Sequence, residues 1–173
     1  MIYIDFDGVI LDTEDVMFEE WHKKPNIHLL TEEDKIRYLQ ELDWDYLISI
    51  SEPINNSIEL LNRMDPSKTA ILTKIHSLKE GTAKIRWAKK NNIKQSIILV
   101  PHTLKKSDVV DANNNLLIDD YLKNLDEWIS CGGNAILFDK NSTGYDTWGQ
   151  FNYKGYRSIN DLEEFTEKIK IKS

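Results

Sequence analysis

Two aspartates near the start of the chain, Asp5 and Asp7, have the spacing of a catalytic or metal-binding pair. They follow the apolar residues 1–4 (MIYI), which favour a short strand, and Gly8 comes directly after them. Side chains two positions apart in a strand face the same way, so both carboxylates can converge where the strand loosens at the glycine. Two like charges that close repel unless a cation lies between them, and an all-oxygen pair suits magnesium better than zinc. The alternative interpretation is an aspartate-rich turn.

Composition limits the classes of protein to which the chain can belong. It has 173 residues, 40% of them apolar, so it can bury one core, or one core and a small appendage. The formal net charge of −7 argues against general affinity for nucleic acid backbones. Cys131 is the only cysteine, which rules out an intramolecular disulfide and fits a reducing compartment.

The chain shows no basic stretch followed by a long apolar region, and no run of the roughly 18 apolar residues that a membrane span requires. We therefore expect a cytoplasmic protein without a membrane partner. No sequence pattern indicates an oligomeric state.

Strand patterns and helix patterns alternate along most of the chain. Residues 13–50 show helix patterns alone, and Thr31 with Asp34 approximates a capping box within them. The remaining predicted strands cover residues 69–73, 96–100, 116–118 and 135–138, and the remaining predicted helices cover residues 51–64, 79–91, 122–129 and a last segment through Leu162, Phe165 and Ile169.

This alternation predicts an α/β fold with a mostly parallel sheet flanked by helices on both faces. Ligands of such sheets bind beyond the carboxyl ends of the strands. The polar residues at those four ends are Asp5 and Asp7, Thr73, the pair Lys105 and Lys106, and the pair Asp119 and Asp120. We therefore expect four acids, a hydroxyl and a lysine at one edge of the sheet.

The same residues resemble the four motifs of the haloacid dehalogenase (HAD) superfamily of phosphohydrolases. Residues 5–9 (DFDGV) are similar to its first motif and residues 71–73 (ILT) to its second. Lys105 or Lys106 is similar to its third, and residues 118–120 (IDD) to its fourth. Residues 117–124 (LIDDYLKN), with the glycines at 132–133 and residues 136–138 (ILF) behind them, further resemble the 5'(3')-deoxyribonucleotidase-like branch.

The resemblance implies a Rossmann-like core formed by residues 1–12 and 51–173, with a small helical cap of residues 13–50 inserted after the first strand. It also implies magnesium as the cofactor. Its catalytic residues would be Asp5 as nucleophile, Asp7 as general acid and base, Thr73 as a hydrogen-bond donor to a phosphate oxygen, and Lys106, or Lys105, as the balancing charge. Its metal site would comprise Asp5, Asp7 and Asp120, with Asp119 assisting.

These residues predict a magnesium-dependent phosphomonoesterase with an aspartyl-phosphate intermediate. A small phosphorylated substrate is expected, with nucleotide or deoxynucleotide monophosphates as the leading class. Because carbon–halogen cleavage needs no proton donor, Asp7 argues against a dehalogenase. The alternatives that remain are a sugar-phosphate phosphatase or mutase with the same core, a metal-dependent nuclease, and an inactive phosphate-binding module.

Overall fold

The computed structural model describes residues 1–25 and 31–167. Its strands are β1 (Ile2–Ile4), β2 (Thr69–Ile75), β3 (Ser96–Pro101), β4 (Leu116–Asp119), β5 (Asn134–Phe138) and β6 (Ser158–Ile159). Its helices are α1 (Thr13–His22), α2 (Glu32–Glu41), α3 (Trp44–Ile50), α4 (Ser57–Arg63), α5 (Leu78–Lys90), α6 (Leu122–Ser130) and α7 (Glu163–Glu167), with a short 3-10 helix at Lys106–Asp108.

Across the described residues, the strands form one sheet in the order β3-β2-β1-β4-β5-β6, and every neighbouring pair is parallel. Along the chain, β2 and β3 are added on one side of β1, and β4, β5 and β6 are then added on its other side. The strand order therefore reverses at β1, which is where open α/β sheets bind ligands. Ile4 of β1 is in register with Ile71 of β2 and Ile118 of β4, so the residues that follow these strands meet at one edge.

The sheet is buried on both faces, because neighbouring residues of its central strands belong to two different apolar clusters. Ile4, Ile71 and Ile118 lie in one cluster, whereas their neighbours Tyr3 and Leu117 lie in the other. Successive side chains of a strand point to opposite faces of the sheet. A strand that is apolar at every position is therefore expected when helices cover both faces. The predicted α/β fold with a mostly parallel sheet is thus confirmed.

Three helices, α1 to α3, lie between β1 and α4, in the segment for which the sequence predicts a cap. Met17, Leu39 and Leu47 bring these helices into the apolar cluster that contains Ile4. Trp44 Nε1 donates a hydrogen bond of 2.8 Å to the Leu39 carbonyl oxygen and so ties α3 to α2. The described helices therefore pack directly on the sheet, and the action of residues 13–50 as a cap stays a prediction.

The capping box predicted for α2 is present. Thr31 Oγ1 accepts a hydrogen bond from the Asp34 N–H, and the Asp34 carboxylate accepts one from the Thr31 N–H. The predicted start of α4 is wrong, because Asn55 and Asn56 adopt positive φ angles of 44° and 61° and delay the helix to Ser57.

Other boundaries differ little from the prediction. The two-residue strand β6 is too short to give a sequence pattern. Ile169 of the predicted last helix lies outside the described residues. None of the helices in residues 1–25 and 31–167 has the length and apolar character that a membrane crossing requires.

Candidate active site

A tight loop after β1 places the first two aspartates. The Asp5 N–H donates a 2.9 Å hydrogen bond to the Ile118 carbonyl, so pairing with β4 continues to the first aspartate. The Phe6 carbonyl then accepts hydrogen bonds from two later N–H groups, of Ile10 and Leu11, and the chain turns toward α1. Gly8 lies inside this turn with a φ of +68°, a conformation that favours glycine.

A side chain at Gly8 would also collide with the site. An added Cβ would lie 2.0 Å from Asp120 Oδ2 and 3.1 Å from Glu14 Oε2. Gly8 therefore allows the loop from β1 and the carboxylates from β4 and α1 to approach each other. The sequence alone indicates the turn at Gly8 but not this close approach.

Three buried carboxylates share one position at the sheet edge. One oxygen each of Asp5, Asp119 and Asp120 lies within 4.8 Å of the other two. Asp120 Oδ2 is buried, and within the described residues no N–H or hydroxyl group donates to it; its polar neighbour is another carboxyl group, that of Glu14. An all-oxygen, negatively charged donor set with an unpaired oxygen fits a hard cation such as Mg²⁺. The side chain of Asp7, also predicted as a ligand, is not one of these three.

Of the two candidate lysines, Lys106 is the one that reaches the carboxylates. It is 2% exposed, and its Nζ lies 2.9 Å from Asp5 Oδ1 and 2.6 Å from Asp119 Oδ2. Lys105 is exposed. The 3-10 helix that begins at Lys106 turns the two neighbouring side chains in different directions, which the sequence cannot show.

The start of α6 holds Asp119 in place. The Asn124 side-chain amide lies 3.1 Å from each of the two Asp119 carboxylate oxygens, and the Tyr121 N–H donates to Oδ1 at 3.0 Å. Asn124 is buried. Sequence analysis did not identify it, although its position one turn after the acidic pair is the kind of signal that could have done so.

Asp7 has different partners from Asp5. Thr13 Oγ1 donates a 2.6 Å hydrogen bond to Asp7 Oδ1, and Lys84 Nζ lies 2.5 Å from Asp7 Oδ2. Thr73, the predicted phosphate ligand, is fully buried, and its Oγ1 lies 3.0 Å from Lys84 Nζ. The structure thus brings Asp7 and Thr73 together around a lysine that the sequence analysis missed.

The sequence does contain a signal that could have identified Lys84, namely its position on α5. It lies three residues after Gly81 and four before Ala88, so it occupies the stripe of α5 that packs on the sheet. A lysine in a buried stripe requires partners. Burial lowers the pKa of Lys84, but the carboxylates of Asp7 and Glu80 outweigh this effect and raise it above its ordinary value.

The crowding of acids raises their pKa values. Burial raises the pKa of Asp5 to about 7; Lys106 opposes the shift, and the nearby charges of Asp119 and Asp7 add to it. Burial likewise raises the pKa of Glu14 to about 8, with a further contribution from the neighbouring carboxylates. The pKa of Asp120 is also raised, first by burial and then by Glu14. A cation at this position would relieve the repulsion among these groups.

A cavity of about 420 Å³ opens above the carboxylates. Asp5, Asp7 and Asp120 line it on the side of the sheet, and Leu39 and Trp44 line it on the side of the inserted helices. Further lining residues are Lys74 in β2 and, outside the strands and helices, His76, Tyr121 and Trp148. Phe18 is not a lining residue but packs edge-on against Trp148, with ring centroids 4.9 Å apart.

No protein-family model matches the sequence, and no curated protein matches it. Solved structures show the fold. A magnesium-bound HAD-hydrolase, YfnB, from Bacillus subtilis is 12% identical with a TM-score of 0.61, and the match covers 98% of both chains. The D,D-heptose 1,7-bisphosphate phosphatase from Burkholderia thailandensis is 14% identical with a TM-score of 0.56, over 99% of this chain and 98% of that one.

The L-2-haloacid dehalogenase from Xanthobacter autotrophicus is also similar, with 10% identity and a TM-score of 0.58 over 99% of this chain and 98% of that one. The chain therefore has the Rossmann-like α/β fold of HAD hydrolases. Because phosphatases and a dehalogenase share this fold, the reaction has to be argued from the side chains of the site.

Replacement of Gly8 by alanine should displace Asp120 and weaken divalent cation binding. Gly155→Ala is the matched control, since Gly155 has a nearly identical φ of +67° but nothing within 4 Å of an added Cβ. We expect Gly155→Ala to cost about 1–2 kcal/mol of backbone strain and to leave Mg²⁺ affinity unchanged. Gly8→Ala should cost more and reduce Mg²⁺ affinity, measured by calorimetry. Equal affinity in the two variants would contradict the assignment of the Asp120 carboxylate to the cation site.

The stability of the metal-free protein should fall as the pH rises from about 4 to about 8. The folded-state pKa values of Asp5 and Glu14, about 7 and about 8, lie above their ordinary values, so in this range the folded state holds protons that the unfolded state has released. Stability present at low pH is lost as these groups ionise. Mg²⁺ should therefore raise Tm more at pH 8 than at pH 6. For a chain of this length, each kcal/mol of unfolding free energy corresponds to about 2–4 °C in Tm.

Melting curves in EDTA and in Mg²⁺ at both pH values test this dependence. Glu14→Gln, which removes one of the two carboxyls, should make the decline in the metal-free protein shallower. An equal effect of Mg²⁺ on Tm at pH 6 and pH 8 would rule out the proposed coupling.

Proposed function

We propose that the protein is a magnesium-dependent phosphomonoesterase in which Asp5 forms an aspartyl-phosphate intermediate. The proposed substrates are small phosphate monoesters, with nucleotide or deoxynucleotide monophosphates as the leading class. One observation carries the proposal: the carboxylates at the ends of β1 and β4 converge on one point at the sheet edge, with Lys106 against Asp5 and Asp119. A cavity large enough for a small ligand opens at this point.

Asp5, Asp119 and Asp120 are the residues that would hold Mg²⁺. When bound, the cation supplies positive charge that reduces the repulsion between Asp5 and an anionic phosphoryl group. Asp7 as a further ligand stays a prediction, because its carboxylate lies with Thr13 and Lys84.

In the proposed reaction an Asp5 carboxylate oxygen attacks phosphorus, and the bond between phosphorus and the leaving oxygen breaks. Asp7 gives a proton to the departing alkoxide. In the second half, Asp7 takes a proton from water as the water oxygen attacks phosphorus, which releases inorganic phosphate and restores the Asp5 carboxylate. Both aspartates line the cavity, as this sequence of proton transfers requires.

Lys106 has a different part in the proposal. Its ammonium group lies 2.9 Å from Asp5 Oδ1, close enough to offset charge on the equatorial phosphoryl oxygens when Asp5 is bonded to phosphorus. Thr73 as a phosphate ligand stays a prediction, because its hydroxyl is buried beside Lys84.

The walls of the cavity support a substrate with a planar ring. Trp44 and Trp148 both line the cavity. Aromatic faces are suited to stack on a nucleobase. These features favour nucleotide monophosphates over sugar phosphates.

Asp5→Asn should lower kcat by about 10⁴-fold or more on every monophosphate that the wild type hydrolyses, because it removes the nucleophile at nearly constant volume. The assay is phosphate release with Mg²⁺ from nucleoside monophosphates, sugar phosphates and p-nitrophenyl phosphate. Asp45→Asn, at an exposed residue paired with Arg86 on the surface, is the control and should retain wild-type rates. Substantial turnover by Asp5→Asn would refute the covalent mechanism, and cleavage of internal phosphodiesters would favour a nuclease.

Lys106→Met should lower kcat by about 10²–10³-fold, because it removes a fixed positive charge at the reacting group. Lys105→Met offers a control one residue away, since Lys105 is exposed. We expect near wild-type kcat for Lys105→Met in the same phosphate-release assay. A larger loss in Lys105→Met than in Lys106→Met would show that the lysines are assigned in the wrong order.

A further inference from the structure

Lys84 lies in an unusual position for a lysine, since its side chain is fully buried and its ammonium group faces four oxygen atoms. These are Asp7 Oδ2 at 2.5 Å, Glu80 Oε1 at 2.7 Å, Thr73 Oγ1 at 3.0 Å and the Lys74 carbonyl at 3.0 Å. An ammonium group has three N–H donors, so its hydrogen-bonding capacity is used inside the protein.

Glu80 is a second carboxylate that fixes the ammonium group. It is 1% exposed and lies one helical turn before Lys84 on α5. Its second oxygen, Oε2, accepts a 2.7 Å hydrogen bond from the His76 N–H at the end of β2. The lysine is therefore attached both to its own helix and to the central sheet, which limits its movement.

Asp7 is held on both oxygens. Lys84 contacts Oδ2, and the Thr13 hydroxyl, from the first residue of α1, donates to Oδ1 at 2.6 Å. A carboxylate has about four lone-pair sites, so each oxygen can still accept another proton. The Asp7 side chain is 17% exposed and lines the cavity, whereas Lys84 does not reach it.

We propose that Lys84 and Thr13 form a clamp that positions Asp7 for proton transfer to the leaving group. The inference rests on the proposed function and adds two positioning residues to it. The clamp holds the Asp7 carboxylate apart from the three carboxylates that would bind the cation. Asp7 is thereby directed to the departing oxygen, while Asp5 faces phosphorus.

A merely structural role for Lys84 makes a different prediction. If the lysine only neutralised the buried charges of Glu80 and Asp7, its loss would reduce stability and lower the rates of all substrates together. The action of the clamp on the attacking water is common to all esters, so the esters are compared by kcat/KM, which reports only the steps up to the aspartyl-phosphate. In those steps the clamp acts only where the leaving group needs a proton. Alkoxides need one, whereas p-nitrophenolate departs readily without one.

The test compares Lys84→Met and Thr13→Val with the wild type on an alkyl monophosphate, such as a deoxynucleoside monophosphate, and on p-nitrophenyl phosphate. We expect kcat/KM to fall by about 10²-fold or more with the alkyl ester, and by less than about 10-fold with the aryl ester. Thr13→Val is nearly isosteric, so it keeps the test available if Lys84→Met does not fold.

Two further variants complete the comparison. Lys79→Met removes an exposed lysine from the same helix and should not alter the ratio of the two rates. Lys106→Met should reduce both rates in parallel, since its charge acts on the phosphoryl group.

Equal losses of kcat/KM on both esters in Lys84→Met and Thr13→Val overturn the clamp and leave the phosphatase in place. A wild-type protein that hydrolyses neither ester overturns the proposed function and the clamp with it.

Discussion

The structure depends on the concentration of negative charge at one edge of a buried sheet. Asp5, Asp119 and Asp120 lie almost without solvent contact, and like charges in such surroundings repel strongly. Buried lysines offset part of this repulsion. The Asp120 oxygen that receives no hydrogen bond is suited to bind a cation, which would offset more of it. Acids crowded in this way destabilise the fold unless a cation compensates their charge, and such costly clusters are typical of functional sites.

Two lysines divide the acids into two groups. Lys106 contacts Asp5 and Asp119, on the side where the phosphoryl group would bind. Lys84 contacts Asp7 and Glu80, on the side where a proton would be transferred. The two aspartates of one short motif thereby have separate environments, and a nucleophile and a proton carrier need such a difference.

The predicted elements and the observed ones agree best where patterns are long. The strands β2 and β3 follow from continuous apolar runs, and the capping box at Thr31 follows from its residue types. Prediction failed where backbone conformation decided the boundary, as at the left-handed Asn55 and Asn56 before α4. It also gave no sign of β6, whose two residues are held only by pairing with β5.

The sequence by itself determined which acids stand at the ends of β1 and β4, because the period of a strand and the position of Gly8 are local properties. Only the tertiary structure decided which of Lys105 and Lys106 faces Asp5, and which carboxylates Lys84 and Asn124 contact. These contacts join residues from different elements, and their geometry depends on how the helices pack on the parallel sheet. Local patterns do not contain that information, since packing distances are set only when the chain has folded.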